Sequence, residues 1–138
     1  MFLTTDSNSK THKNLIDDFK GKSGFDFSGR VGVITDNDVP CEGECDVWVI
    51  PYEYKLTPPE NSVTYSLSNN SARAVLINIQ NHTHSKSFEI MFDSNMGRVF
   101  IDNSNKTSPR DVLICAAAFL AAGMDFQRVL DVLNEILK

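Results

Sequence analysis

Residues 108–123 read SPRDVLICAAAFLAAG, a short polar start followed by eleven apolar residues and a glycine. Ser108 can cap the first turn of a helix, Pro109 suits the first helical position, and Asp111 completes a capping box. Alanine is the best helix former, and Gly123 suits the left-handed residue that ends a helix. Because the segment has no polar stripe, it must be covered on nearly every side. It therefore predicts the central helix of a domain.

Two further helices are predicted, one directly after the central helix and one near the N-terminus. After the central segment, Asp125 caps a run in which apolar residues fall at helical spacing, so 108–137 predicts a C-terminal helical hairpin. Near the start, the segment from His12 to Lys20 has the same spacing and is followed by Gly21. This pattern predicts a short amphipathic helix.

The region 30–102 is predicted to be mainly β. Apolar residues alternate with other residues over 73–80, 88–92 and 99–101, and short polar turns separate these runs. Runs joined by short turns are typical of an antiparallel meander that buries one face. The predicted fold class is α+β, with an antiparallel β-meander packed on a C-terminal helical hairpin with an alanine-rich central helix.

Size and composition predict one domain over residues 1–138, of which 1–11 are polar and expected to be flexible. A net charge of −5 argues against a nucleic acid polymer as partner. The apolar run is shorter than the roughly 20 residues that cross a bilayer, so no membrane association is expected. The start lacks a secretory pattern and the three cysteines make no disulfide framework, which predicts a cytoplasmic protein.

Arg110 is the first candidate binding residue. A cation in the first helical turn opposes the positive end of the helix dipole, and a bound anion would reverse that penalty. The free N–H groups and the guanidinium would then hold a phosphate together. The alternative is that Arg110 points into water and pairs with Asp111 or Asp102.

A second set of candidates lies in the predicted meander. Arg73 and Arg98 begin neighbouring stretches and Arg30 begins an earlier strand, so these side chains could gather around a phosphate. An aromatic side chain would stack on a base, and Asn95 or Asp93 would bind a base edge or ribose. The aromatic candidates are Phe88, Phe92, Tyr52, Tyr54 and Trp48. The alternative is that both phenylalanines belong to the core.

The alanines predict close packing, and any alanine face left uncovered would suit a second copy across a two-fold axis. We therefore expect a homodimer or higher homo-oligomer, with coverage by loops as the alternative. The alanines are Ala116, Ala117, Ala118, Ala121 and Ala122.

Signs of catalysis are weak. His82 and His84, with Asp93 as a third ligand, have a spacing that suits a metal, but they lie in a short polar turn. Cys41 and Cys45 have no second pair, and no P-loop, Gly-x-Ser-x-Gly or His-Glu-x-x-His pattern occurs. We expect no catalytic residue, no metal, no cofactor and no enzymatic activity.

The chain resembles phage-encoded anti-Thoeris sponge proteins. The shared features are the size, the β-rich N-terminal part, the C-terminal helical pair and an arginine, here Arg110, at the start of the central helix. These proteins bind cyclic ADP-ribose isomers, and some bind cyclic oligonucleotides, without cleaving them. The resemblance covers roughly residues 30–137. It implies that the chain sequesters an anionic nucleotide-like signal and so counters host immune signalling. It further implies a ligand pocket formed by Arg110, Arg73, Arg98, Asn95, and Phe88 or Phe92.

An alternative function comes from the region 36–60, where acidic residues outnumber basic ones. These carboxylates would form an acidic surface for a basic partner, as in a protein-interaction or inhibitor module without a small-molecule ligand. A solvated loop explains the same composition.

Overall fold

The computed structural model describes residues 2–4, 10–25, 27–35 and 45–138. These residues form seven strands and three helices. In chain order they are β1 (Phe2–Thr4), α1 (Lys10–Ser23), β2 (Val31–Val33), β3 (Val47–Pro51), β4 (Ser62–Ser66), β5 (Ala74–Asn81), β6 (Ser85–Phe92), β7 (Asn95–Asp102), α2 (Pro109–Ala121) and α3 (Phe126–Ile136). The predicted first helix is present and slightly longer than expected. Of residues 1–11, expected to be flexible, 2–4 belong to β1 and 10–11 to α1.

The seven strands form one sheet whose spatial order follows the sequence. Strands β1 to β5 run parallel to one another, and only β5, β6 and β7 form an antiparallel meander. The α+β class and the meander at 74–102 are confirmed, but the sheet as a whole is mixed. Short turns join only the last three strands, whereas longer segments such as α1 bring each earlier strand back in the same direction.

Helix α2 begins and ends as its sequence predicts. The Ser108 hydroxyl accepts a hydrogen bond from the backbone N–H of Asp111 at 3.2 Å. At the other end Gly123 has a φ of 97°. The N–H of Met124 bonds the carbonyl of Phe119, and that of Gly123 bonds the carbonyl of Leu120, each at 3.0 Å. This pair of bonds is a Schellman motif, in which glycine avoids the strain of a left-handed conformation.

Helix α2 is covered within a single chain. Residues 112–120 are all buried. The helix contacts β2, β3, β4 and β5 on the sheet side, and α1 and α3 also pack against it. Ala116, Ala117 and Ala118 have no exposed surface. No uncovered alanine face therefore remains over 112–120 to receive a second copy, and the homo-oligomer stays a prediction without that support.

The two faces of the sheet are buried to different extents. The main core lies between the sheet and the three helices. A smaller cluster of Ile34, Trp48 and Ile50 lies apart from it, on the parallel strands and their ends. On β7, Met96 and Phe100 are 56% and 48% exposed. One face of the meander is thus left open to solvent, as an antiparallel sheet allows.

Strand β7 and helix α3 approach each other closely at Gly97. A Cβ added at Gly97 would lie 2.0 Å from Cδ1 of Leu130. Gly97→Ala is expected to lower the free energy of unfolding by about 1–3 kcal/mol, since the core must shift to admit the methyl group. Chemical denaturation measures this change.

Gly21→Ala is the matched control. Gly21 lies in α1, and no atom lies within 4 Å of a Cβ added there. Alanine favours helix over glycine by about 0.5–1 kcal/mol, so this variant should be as stable as the parent or more stable. Equal destabilisation by both substitutions would contradict the packing of α3 on β7.

Candidate functional site

A cavity of about 480 Å³ opens where β3 and β4 end and α2 begins. Pro51 is the last residue of β3 and Ser66 the last of β4. Arg110, in the first turn of α2, lines the same cavity. In open sheets with parallel strands, ligands bind at the carboxyl ends of the strands. Three elements distant in sequence thus meet at a position suited to binding.

The rim of this Arg110 cavity is held by the Ser66 hydroxyl. It donates to Oε1 of Glu53 at 2.8 Å. Oγ of Ser66 in turn accepts hydrogen bonds from the backbone N–H groups of Ser68 at 3.1 Å and Asn69 at 2.9 Å. Hydrogen bonds to Ser66 therefore connect the segment after β3 with the turn after β4.

Tyr65 forms part of the cavity wall and connects three strands. Its backbone carbonyl accepts a hydrogen bond from the N–H of Tyr52 at 2.8 Å. Its hydroxyl donates to the carbonyl of Ile34, just past β2, at 3.0 Å. Tyr65 is 4% exposed. The wall is consequently rigid on the sheet side.

Two cations and one carboxylate line the Arg110 cavity. The cations are Arg110 and Lys55, and the carboxylate is Glu53, which Ser66 already engages. Within the described parts of the chain, no carboxylate forms an ion pair with Arg110. Asp102, a predicted partner of Arg110, instead accepts hydrogen bonds from Ser104. Among the described residues that line the cavity, basic side chains therefore outnumber acidic ones by one.

Arg73 is engaged elsewhere by its own sheet. Its Nε and one terminal nitrogen each lie 3.0 Å from an oxygen of Asp93. This hydrogen bonding holds the pKa of Asp93 below its usual value. The guanidinium carbon also lies 5.1 Å from the centre of the Phe92 ring, a cation–π arrangement. Arg73 does not line the Arg110 cavity.

The other predicted binding residues do not join Arg110 either. Arg98 donates to Glu89 at 2.6 Å and to Ser87 at 3.1 Å. Phe88 has no exposed surface, so as folded it is a core residue and does not stack on a ligand. Asn95 is exposed at the start of β7. Arg110 is thus the sole member of the predicted set that lines this cavity.

Glu53, Lys55 and Ser66 line the cavity but were not predicted as ligand-binding residues. They stand at or just after the ends of two β-rich runs, which is the position where ligand-binding residues gather in a parallel sheet. Hydrophobic alternation is the same in parallel and antiparallel strands, so the sequence did not show that these two runs end at the same edge of the sheet.

His82 and His84, whose spacing would suit a metal, lie outside the Arg110 cavity. Nε2 of His82 lies 2.9 Å from the Ser87 hydroxyl oxygen, which also accepts a hydrogen bond from Arg98. Ser87 is completely buried, so its oxygen is closed to a substrate. Among the described residues, no group of three His, Cys, Asp or Glu side chains is arranged to hold a metal.

The cysteines add no reactive centre in the described part of the chain. Burial raises the pKa of the Cys115 thiol well above its usual range, so this residue stays protonated within the core. Cys45 is partly buried and is not in a disulfide. Residues 36–44 of the acidic region 36–60, which include Cys41, lie outside the described residues.

Among the solved structures with the same architecture are several ligases. MurC from Thermotoga maritima matches with a TM-score of 0.70 at 13% identity, over 98% of this chain and 44% of that chain. A pseudomurein peptide ligase type C from Methanothermus fervidus matches with a TM-score of 0.67 at 13% identity, over 99% and 49%. MurF from Acinetobacter baumannii matches with a TM-score of 0.65 at 10% identity, over 97% and 44%.

At these identities the likeness shows the fold alone. The chain spans less than half the length of these three structures. No known family model and no curated protein matches this chain. Within the described residues, every helix is too short or too polar to cross a membrane.

Proposed function

We propose that this chain binds a small anionic, nucleotide-like ligand in the Arg110 cavity and holds it without transforming it. The observation that carries the proposal is the convergence of Arg110 and Lys55 on one cavity beside the amino end of α2. A helix amino end attracts anions through its dipole and its free N–H groups. An arginine adds a planar pair of donors suited to phosphate.

The size and lining of the cavity support a nucleotide rather than a bare ion. A volume of about 480 Å³ is within the range of small-molecule sites. Pro51, Tyr65 and Leu67 supply apolar surface next to the two cations. MurC, one of the structural neighbours, is a UDP-N-acetylmuramate–alanine ligase, a name that contains a nucleotide sugar. That name belongs to the neighbour, and here it only favours a ligand with a phosphorylated nucleoside.

Two observations support binding without catalysis. Among the described residues that line the cavity there is no histidine and no cysteine. Gly21-Lys22-Ser23 matches the end of a P-loop, but Ile16 replaces its first glycine. These three residues also end helix α1, whereas a P-loop precedes a helix. Sequestration of a cyclic ADP-ribose type signal against host immunity remains a prediction based on the resemblance to anti-Thoeris sponge proteins.

Isothermal titration calorimetry tests the proposal directly. The chain is titrated with cyclic ADP-ribose, ADP-ribose, UDP-N-acetylmuramate and inorganic phosphate. We expect saturable binding of at least one nucleotide and weaker binding of phosphate, because phosphate fills only the cationic part of the cavity. Mass spectrometry should recover the bound nucleotide intact.

Two results would contradict the proposal. Absence of heat and of thermal stabilisation with all four compounds would refute ligand binding. Recovery of a cleaved or extended nucleotide would refute binding without catalysis. A charge reversal at Glu44 that abolishes capture of a basic protein would instead favour the acidic interaction module.

A further inference from the structure

Ser66 has a buried hydroxyl whose single proton is committed to Glu53. The residue is 3% exposed. Its oxygen already accepts hydrogen bonds from the backbone N–H groups of Ser68 and Asn69. A hydroxyl has two acceptor lone pairs and one proton, so the proton is directed to Oε1 of Glu53, 2.8 Å away. A buried group of the fold thus sets the orientation of the Glu53 carboxyl.

This hydrogen bond holds an acidic side chain in the lining of the Arg110 cavity. Glu53 is exposed just after the end of β3 and lines the cavity together with Lys55 and Arg110. Its Oε2 has no hydrogen-bond partner in the described parts of the chain. An ionised carboxylate has about four acceptor sites, and Ser66 occupies one of them. The cavity therefore offers an oriented hydrogen-bond acceptor beside two cations.

A carboxylate in this position favours some anionic ligands over others. It weakens the binding of a bare anion, because two negative charges in one cavity repel each other. Hydroxyl groups on the ligand reverse this effect, since an O–H group forms a stronger hydrogen bond to a charged acceptor than to a neutral one. A phosphorylated sugar carries a phosphate and hydroxyls a few bonds apart. A cavity of about 480 Å³ is large enough for both.

We infer that Glu53 accepts hydrogen bonds from the hydroxyls of a sugar whose phosphate lies at Arg110 and Lys55. This inference deepens the proposed function and rests on it. It assigns the ligand to the phosphate esters of sugars with free hydroxyls, a class that includes nucleotides. Anions without hydroxyl donors are disfavoured in the same cavity. Glu53 is then a residue that determines specificity, and Ser66 is the residue that positions it.

Glu53→Gln is the main test, because glutamine keeps the shape and an oxygen that accepts from Ser66 but removes the charge. Calorimetry with cyclic ADP-ribose, ADP-ribose and UDP-N-acetylmuramate should show about tenfold weaker binding of each nucleotide that the parent binds, since the acceptor is no longer charged. Inorganic phosphate should instead bind the variant more tightly than the parent, because a repelling charge is gone. The two affinities should therefore change in opposite directions.

Ribose 5-phosphate tests whether the sugar is the donor, because it has the hydroxyls and the phosphate but no base. Measured by competition with the bound nucleotide, it should bind the parent more tightly than inorganic phosphate does. Glu53→Gln should reduce this difference. Glu60→Gln is the matched control, since Glu60 is exposed and does not line the cavity. It changes the net charge by the same amount and should leave all these affinities as they are in the parent.

The outcomes separate this inference from the proposed function. If the parent binds none of the three nucleotides, the proposed function is refuted and the Glu53 contact with it. If the parent binds a nucleotide and Glu53→Gln binds it as tightly or more tightly, only the Glu53 contact is refuted. The same holds if nucleotide and phosphate binding are lost together, or if Glu60→Gln has the same effect as Glu53→Gln. An unchanged difference between ribose 5-phosphate and phosphate would show that the sugar hydroxyls do not bind Glu53.

Discussion

Arg110→Ala is expected to weaken nucleotide binding by about 10- to 100-fold, the effect of losing hydrogen bonds to a charged group. Arg110 is partly exposed and lines the cavity beside the amino end of α2. No carboxylate in the described parts of the chain pairs with it, so the substitution leaves no charge unpaired there. The melting temperature without ligand should therefore stay close to that of the parent. Calorimetry and thermal unfolding measure the two quantities.

Arg30→Ala is the matched control for this prediction. Arg30 is an exposed arginine just before β2, and it does not line the Arg110 cavity. Its removal changes the net charge by the same amount, so any loss of affinity due to net charge alone would appear in both variants. Equal affinities for the parent and Arg110→Ala would refute the site, even if the nucleotide binds elsewhere.

Phe119→Ala is expected to lower the free energy of unfolding by about 3–5 kcal/mol, the usual cost of removing a buried phenylalanine ring. Phe119 has no exposed surface. Its ring stacks on Phe19 of α1 with centroids 4.1 Å apart, and Phe25 meets it edge-on at 6.2 Å. The substitution leaves a cavity between α1 and α2 that neighbouring side chains fill only in part. Denaturant titration monitored by circular dichroism measures the loss.

Phe100→Ala provides the comparison for Phe119. Phe100 is 48% exposed on the open face of the meander. Removal of this ring leaves little empty volume in the core. We therefore expect the free energy of unfolding to change by no more than about 1 kcal/mol. If the two alanine variants proved equally stable, the packing of α1 against α2 would have to be revised.

Local signals predicted the helices and the meander well. The N-cap at Ser108, the left-handed Gly123 and the apolar run between them act over a few residues, and the structure contains each of them. Strands β5, β6 and β7 likewise pair with their neighbours in sequence, and only short turns are needed to bring them together. Strand direction in the first half was not predictable in this way. Alternation is the same in parallel and antiparallel strands, and direction depends on longer connections.

The candidate site was predicted only at Arg110. The sequence showed an arginine at the start of a helix, where an unpaired cation is costly and an anion is favoured. It did not show that Arg73 and Arg98 form ion pairs with Asp93 and Glu89 across neighbouring strands. Cross-strand partners are set by register, and register is a property of the assembled sheet.

The sequence by itself determined the ends of α2, its burial and the position of the meander, because capping, turns and apolar periodicity act between residues close in the chain. Only the tertiary structure decided that the first strands are parallel and that α1, α3 and the sheet cover α2. It alone brought Lys55, Tyr65 and Arg110 to one cavity. Such contacts join segments far apart in sequence, so they exist only once the strands have paired and the helices have packed.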